Sequence, residues 1–175
     1  MSAIQIKKPS LTLRAGKRAM AHIEHNGLQP ADIAILPGAA GGPKGIGLQG
    51  LDLALFGDWL PRAPRVRTLV GASIGSWRFA SACLPDPVAG IKRLGELYTS
   101  QRYAKGVSMQ EVSLSCRKLL HDLLQDQDAD ILANPLYHLN IVVVKSHGLM
   151  VHDRKGALGL GLSAVIGNNL LGRKR

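Results

Sequence analysis

Aromatic residues are scarce in this sequence. Two Trp, three Tyr and two Phe make up 4% of the 175 residues. Proteins that bind single-stranded nucleic acid by stacking bases on aromatic rings need more of them, so nucleic acid is not an expected partner. Aliphatic side chains supply most of the 46% hydrophobic content, which is typical of a globular protein. The length suits one domain with a real core and is short for two.

Cysteines and long apolar runs are also few. Cys83 and Cys116 are the two cysteines, which is too few for a disulfide framework or a metal cluster, and we expect buried thiols. Residues 1–14 lack the apolar core of a signal peptide. The apolar segment 157–171 is too short to span a bilayer and is interrupted by two asparagines. These absences predict a cytoplasmic protein, and no metal or cofactor is implied.

Acidic residues are outnumbered, with 12 Asp and Glu against 22 Lys and Arg. Five basic residues and one acidic residue lie within 1–31, and three more basic residues occupy 173–175. Basic ends are able to contact anionic lipid or nucleic acid, and a solvated surface accounts for them equally well. Of these partners we expect a peripheral contact with anionic membrane.

The order of apolar patterns predicts an α/β domain. Short apolar runs indicate strands at 31–36, 66–70 and 139–146. Between and around them, helical patterns occur at 13–26, from Lys44 onward, and at 76–84, 87–103 and 108–124. Ser108 and Glu111 have the spacing of a capping box, whereas "QDQDAD" is expected to be a loop. Alternation of strands and helices favours a parallel sheet with helices on both sides.

A glycine-rich stretch, "ILPGAAGGPKGIGLQG" at 35–50, follows the first strand. It fails as a phosphate loop because Pro43 removes a backbone N–H and Gly45 replaces the hydroxyl that would hold magnesium. It fits a dinucleotide turn poorly, since the G-x-G-x-x-G begins well after the strand and no acidic residue follows at the ribose position. The remaining interpretation is an oxyanion hole built from the N–H groups of Gly41 and Gly42.

A nucleophile for such a hole is found in "TLVGASIGSW". Gly71, Ser73 and Gly75 form a G-x-S-x-G pattern directly after a predicted strand and directly before a predicted helix. In this arrangement the serine occupies a strained turn, and the flanking glycines leave room for neighbouring backbone. Because consecutive strands are parallel, the glycine loop and Ser73 are expected at the same edge of the sheet.

Together these segments resemble the patatin-like phospholipases, over about residues 31 to 84. That family carries a D-G-G-G-x-[RK]-G loop, a G-x-S-x-G elbow and a later D-G-[GA] motif. The residues 41–45 match the end of the loop, and 71–75 match the elbow in full. The resemblance implies a three-layer α/β/α domain that hydrolyses lipid acyl esters. It also implies that Ser73 is the nucleophile, that Gly41 and Gly42 form the oxyanion hole, and that Lys44 adds positive charge.

The chain departs from this family in two places. Ala39 and Ala40 stand where the family has Asp and Gly, and no Asp-Gly dipeptide occurs anywhere. The aspartate that would act as base is therefore missing, and a serine without a base is a weak nucleophile. We expect residues 1–175 to be a single, truncated domain with little or no activity alone.

Two alternatives remain open. One is an ordinary α/β-hydrolase with a triad in the order Ser73, Asp130, and His138 or His152. The other is a non-catalytic remnant that binds a membrane or a partner through its basic ends.

Overall fold

A computed structural model describes residues 12–151 and 155–172. Three strands and several helices follow one another in the order α1 (Lys17–Asn26), β1 (Ile35–Gly38), α2 (Pro43–Ile46), α3 (Gln49–Ala54), β2 (Arg67–Ala72), α4 (Ile74–Ala82), α5 (Pro87–Ser100), α6 (Met109–Leu124), α7 (Asp128–Leu132), β3 (Tyr137–Val142) and α8 (Lys155–Gly172). Short helical turns lie at Pro30–Asp32, Leu55–Trp59, Leu60–Arg62 and Gly148–Val151. None of the helices in these ranges combines the length and hydropathy needed to cross a bilayer.

The strands form a parallel sheet in the order β1-β2-β3. Gly38 of β1 pairs with Gly71 of β2, which pairs in turn with Ile141 of β3. The sheet is open: within the described ranges no further strand pairs with β1 or β3. The predicted α/β class with a parallel sheet and flanking helices is confirmed, in an incomplete form.

The first strand lies later than its pattern predicts, because Pro37 and Gly38 belong to it. The Thr68 N–H donates to the Ala34 carbonyl (2.9 Å), and backbone groups alternate sides along a strand. The backbone of Pro37 therefore faces away from β2, where its missing N–H costs no ladder bond. Ile35 is 63% exposed, so β1 is an edge strand and not the fully buried one that its composition suggested.

The third strand ends earlier than predicted. Its last ladder pair joins Val142 to Ala72, after which β2 gives way to the turn at Ser73. Val143 and Val144 follow without a strand partner and are 80% and 93% exposed. The apolar run is longer than the strand that it can pair with.

The helix predictions succeed in type more often than in boundary. Ser108 and Glu111 form the predicted capping box at the start of α6. The helix α1 begins at Lys17, capped by Gly16, so the expected start at residue 13 is wrong. The acidic segment is not wholly a loop, because α7 takes up part of it. Asp128 and Asp130 lie in the first turn of α7, where negative charge favours a helix N-terminus.

The main core lies between α4 and one face of the sheet. Leu69 of β2, Phe79 of α4 and Cys83, the residue that ends α4, are almost fully buried there, with Tyr137 of β3 beside them. α5 packs on α4, and α6 packs on α5 around a smaller cluster of Leu94, Leu119 and Leu123. The opposite face of the sheet is more open; Ile35, His138 and Val142 are exposed on it.

Arg67 fixes the amino end of the sheet. Its side chain is 1% exposed and its guanidinium donates to the carbonyls of Pro30, Ile33, Ala63 and Arg65 at 2.9–3.4 Å. Four carbonyl acceptors compensate the burial of one charge, and they join the segment before β1 to the segment before β2.

The two cysteines differ in accessibility, which predicts selective alkylation. Burial raises the pKa of Cys83 to about 12, whereas Cys116 is half-buried on α6. At about pH 8, near the ordinary thiol pKa, maleimide should modify Cys116 in the native protein and leave Cys83 intact. Peptide mass spectrometry measures this. In urea both thiols should react, and equal native rates would contradict the buried position of Cys83.

Candidate functional site

Ser73 lies in the sharp turn that joins β2 to α4. It is the N-cap of α4, with φ 51° and ψ −124°, and its side chain is exposed. Positive φ at a residue other than glycine stores about 1–3 kcal/mol of strain and is concentrated at functional sites. The strand–turn–helix setting that G-x-S-x-G predicts is present here.

The glycines on either side of Ser73 are required by close backbone contacts. A Cβ at Gly71 would lie 2.5 Å from the Ser76 Cα and 2.6 Å from the Ser76 N. A Cβ at Gly75 would overlap the carbonyl oxygen of Gly38. The first turn of α4 therefore lies directly on the end of β1, and no side chain separates the two backbones.

The glycine loop makes a second turn of similar shape at the end of β1. Gly42 is the N-cap of α2, with φ 54° and ψ −134°. The carbonyls of Gly41 and Gly42 accept from the N–H groups of Lys44 (3.3 Å) and Gly45 (3.0 Å). Within the part of the chain that is described, the N–H groups of Gly41 and Gly42 donate to no protein acceptor. Both amides are thus free to bind an anion.

The loop and the elbow touch each other. Gly45 lies against Ile74, the residue after Ser73, so closely that a Cβ would come within 2.6 Å of the Ile74 Cγ2. Gly38 and Gly75 form the second contact. The expectation that the two motifs meet at one edge of the sheet is confirmed by these contacts and by the parallel register.

Ser73 and Gly41 nevertheless line different depressions. Ser73 and Ile74 border a cavity of about 140 Å³ on the side of α5 and α6. Gly41 and Gly45 border a groove of about 430 Å³ on the side of α3, together with Lys44. Since Ile74 lines one and Gly45 lines the other, their contact forms the boundary between them. A ligand bridging Ser73 and Gly41 has to cross this boundary.

A buried ion pair that the sequence reasoning missed lies beside the groove. Arg78 of α4 donates from Nε and Nη2 to both carboxylate oxygens of Asp52 on α3, each at 2.6 Å. Asp52 is 2% exposed. With both oxygens engaged by Arg78 it is no free base. The sequence did carry a signal for this pair: "LQGLDLALF" contains one acidic residue and "SIGSWRFASACL" contains one basic residue, each within an otherwise uncharged segment.

The histidine triad is not assembled around His138. That residue pairs with Thr68, five positions before Ser73, which is about 16 Å along a strand. Asp130 lies in α7, before the amino end of β3. His152 and Asp153 fall outside the described residues. Among the residues that the structure does cover, no group of His, Cys, Asp and Glu is arranged to hold a metal ion.

The contact between Gly75 and Gly38 predicts a strong effect of a single methyl group. Gly75→Ala should lower the free energy of unfolding by about 3 kcal/mol or more, because backbone must move to admit the Cβ. Urea denaturation followed by circular dichroism measures the change. Gly50→Ala in α3 is the matched control; a Cβ there meets nothing within 4 Å, and helix propensity should make it neutral or stabilising. Equal behaviour of the two variants would contradict the contact.

The conformation of Ser73 predicts an unusual order of stabilities. Ser73→Gly should be more stable than Ser73→Ala by about 1 kcal/mol, because glycine relieves the strain that alanine keeps. Thermal or urea unfolding of the two variants measures the difference. At Ser113, exposed within α6, the same pair should give the opposite order, since glycine disfavours an ordinary helix. The same order at both sites would argue against strain at Ser73.

Comparison of the chain with family models, with curated protein sequences and with solved structures yields no match in any of the three. The resemblance to patatin-like phospholipases thus depends on the residues of the glycine loop and the elbow. The geometry of these two segments is the basis for a functional proposal.

Proposed function

We propose that this chain is a patatin-like serine acyl hydrolase, or part of one, with lipid acyl esters as substrates. The observation that carries the proposal is the strained, exposed Ser73 at the carboxyl end of β2. The next residue, Ile74, contacts Gly45 in the loop that holds the unengaged amides of Gly41 and Gly42. A nucleophile and an anion-binding loop from separate crossovers are two of the parts that acyl transfer requires, and a base is the third.

In the proposed reaction the Ser73 Oγ attacks the ester carbonyl carbon, and its proton leaves to a base. The carbonyl oxygen becomes an oxyanion, which the N–H groups of Gly41 and Gly42 stabilise. The N–H of Ile74 is a further donor, because the amide after the nucleophile serves this role in G-x-S-x-G elbows. The tetrahedral intermediate collapses, the alcohol departs with a proton, and water hydrolyses the acyl-serine.

Charge around the loop favours an anionic substrate. Lys44 lies in the first turn of α2 and is exposed beside Gly41. Its ammonium group raises the local concentration of phosphate-bearing lipids. The basic residues near both ends of the chain would add attraction to an anionic membrane surface, by about 1 kcal/mol for each residue close to the surface.

The weak point of the chemistry is the base. Ser73 Oγ makes no hydrogen bond to any residue that the structure describes, and the family's Asp-Gly motif is absent from the sequence. Such a serine should be acylated slowly by an ester, and the aspartate that completes the dyad would come from outside these 175 residues. The free hydroxyl also favours the second candidate, an inert remnant that binds a membrane or partner.

An activated reagent tests the nucleophile without needing an efficient base. A fluorophosphonate should modify Ser73 in the native chain and not in urea, because the free amides act only when folded. Intact mass and peptide mapping locate the adduct. Ser73→Ala should abolish it, whereas Ser113→Ala, on the exposed face of α6, should not. Absence of any Ser73 adduct would favour the inert remnant and contradict the hydrolase.

A further inference from the structure

The cavity at Ser73 is a cleft between three helices. Ile74 and Trp77 of α4 form one wall, and Tyr98 of α5 forms another. Cys116 and Leu119 of α6 close the cleft opposite α4. Trp77 lies one helical turn after Ser73, and the backbone N–H of Trp77 donates to the Ser73 carbonyl (3.4 Å). Ser73 therefore borders a cleft whose walls are formed by residues of regular helices.

The lining of this cleft selects an uncharged, apolar group. Ile74 is 3% exposed and Leu119 is 5% exposed, and the rings of Trp77 and Tyr98 are half-buried. None of the described residues that line the cleft is charged, and among them Gln101 contributes the one amide side chain. Moving a hydrocarbon group from water into the cleft is favourable because its apolar surface is buried. A charged headgroup would lose its hydration there and find no group of opposite charge to replace it.

The volume of the cleft limits the size of the apolar group that it can hold. Its volume is about 140 Å³. A protein cavity of about 150 Å³ with similar apolar walls accommodates benzene, a six-carbon ligand. The larger groove next to Gly41 does not extend this space, because the contact between Gly45 and Ile74 separates the two.

We propose that this cleft is the acyl site of the chain and that it accepts chains of up to about six carbons. The catalytic part of this inference depends on the proposed function, while the binding part does not. Trp77 and Tyr98 determine the chain length, since they are the bulky side chains lining the cleft. Among lipid esters, the preferred substrates are therefore those of short-chain acids, and esters of long-chain acids are poor ones.

Cys116 provides a measure of binding that needs no catalysis. It lines the cleft, whereas Cys83 is buried in the main core and serves as an unreactive internal reference. Saturating N-methylbutanamide should slow maleimide modification of Cys116 by about tenfold or more, as expected for an occupied site. N-methyldodecanamide should protect far less. No protection by either amide would contradict an apolar site in the cleft.

Alkyl fluorophosphonates measure the catalytic part, because the alkyl group on phosphorus takes the place of the acyl chain. The rate of Ser73 modification should increase from ethyl to hexyl and fall by about tenfold or more at dodecyl, within the range that pocket size discriminates. Trp77→Ala should move this limit to longer chains, and Tyr98→Ala provides a second variant if the first is poorly folded. Leu120→Ala, on α6 but outside the cleft, should keep the original limit.

The two measurements separate the possible failures. Modification of Ser73 with no dependence on chain length would overturn the acyl-site inference and leave the hydrolase proposal standing. Protection of Cys116 by the short amide without any Ser73 adduct would support the binding site and overturn the hydrolase. If both Trp77→Ala and Tyr98→Ala fold and keep the original limit on alkyl chain length, the claim that Trp77 and Tyr98 set this limit would be contradicted.

Discussion

The arrangement of the whole site depends on one close contact, in which the first turn of α4 lies on the end of β1. Gly75 and Gly38 meet there backbone to backbone, and a methyl group on either would collide with its surroundings. The same approach brings Phe79 over Gly38 and Ile74 against Gly45. Without it, α4 would lie farther from the sheet and the glycine loop would lose its contact with Ile74, the residue after Ser73.

The two ends of the sheet differ in how far their polar groups are hydrogen-bonded. At the amino end, Arg67 is buried and donates to four carbonyls, which holds the segments before β1 and β2 together. At the carboxyl end, the N–H groups of Gly41 and Gly42 are unengaged within the described chain, and Ser73 is strained. The buried pair of Asp52 and Arg78 holds α3 to α4 behind the loop. Rigid packing around unsatisfied polar groups is typical of a binding or catalytic site.

The sequence predicted those features that depend on local chemistry. The turn at Ser73, the capping box of Ser108 and Glu111, and the parallel sheet all follow from residue types at fixed spacing. Strand boundaries did not follow, because β3 ends where its neighbour β2 ends and not where its apolar run ends. Pro37 could be placed inside β1 only once that strand was known to be at an edge.

Features that need distant residues could not be predicted. The pair of Asp52 and Arg78 joins positions 26 residues apart, and each charge appeared alone in an apolar helix. The cleft at Ser73 is formed by α4, α5 and α6 together, so no single segment carries its pattern. The position of His138, far from Ser73, was likewise decided by strand register and not by its order in the sequence.

The most direct test of the central claim is a crystal structure of the chain with a phosphonate bound to Ser73. We expect the phosphonyl oxygen to lie about 3 Å from the N–H groups of Gly41 and Gly42, the distance that an oxyanion hole requires. A phosphonyl oxygen that points into solvent, with both glycine amides turned away from it, would contradict a shared site for the loop and the elbow.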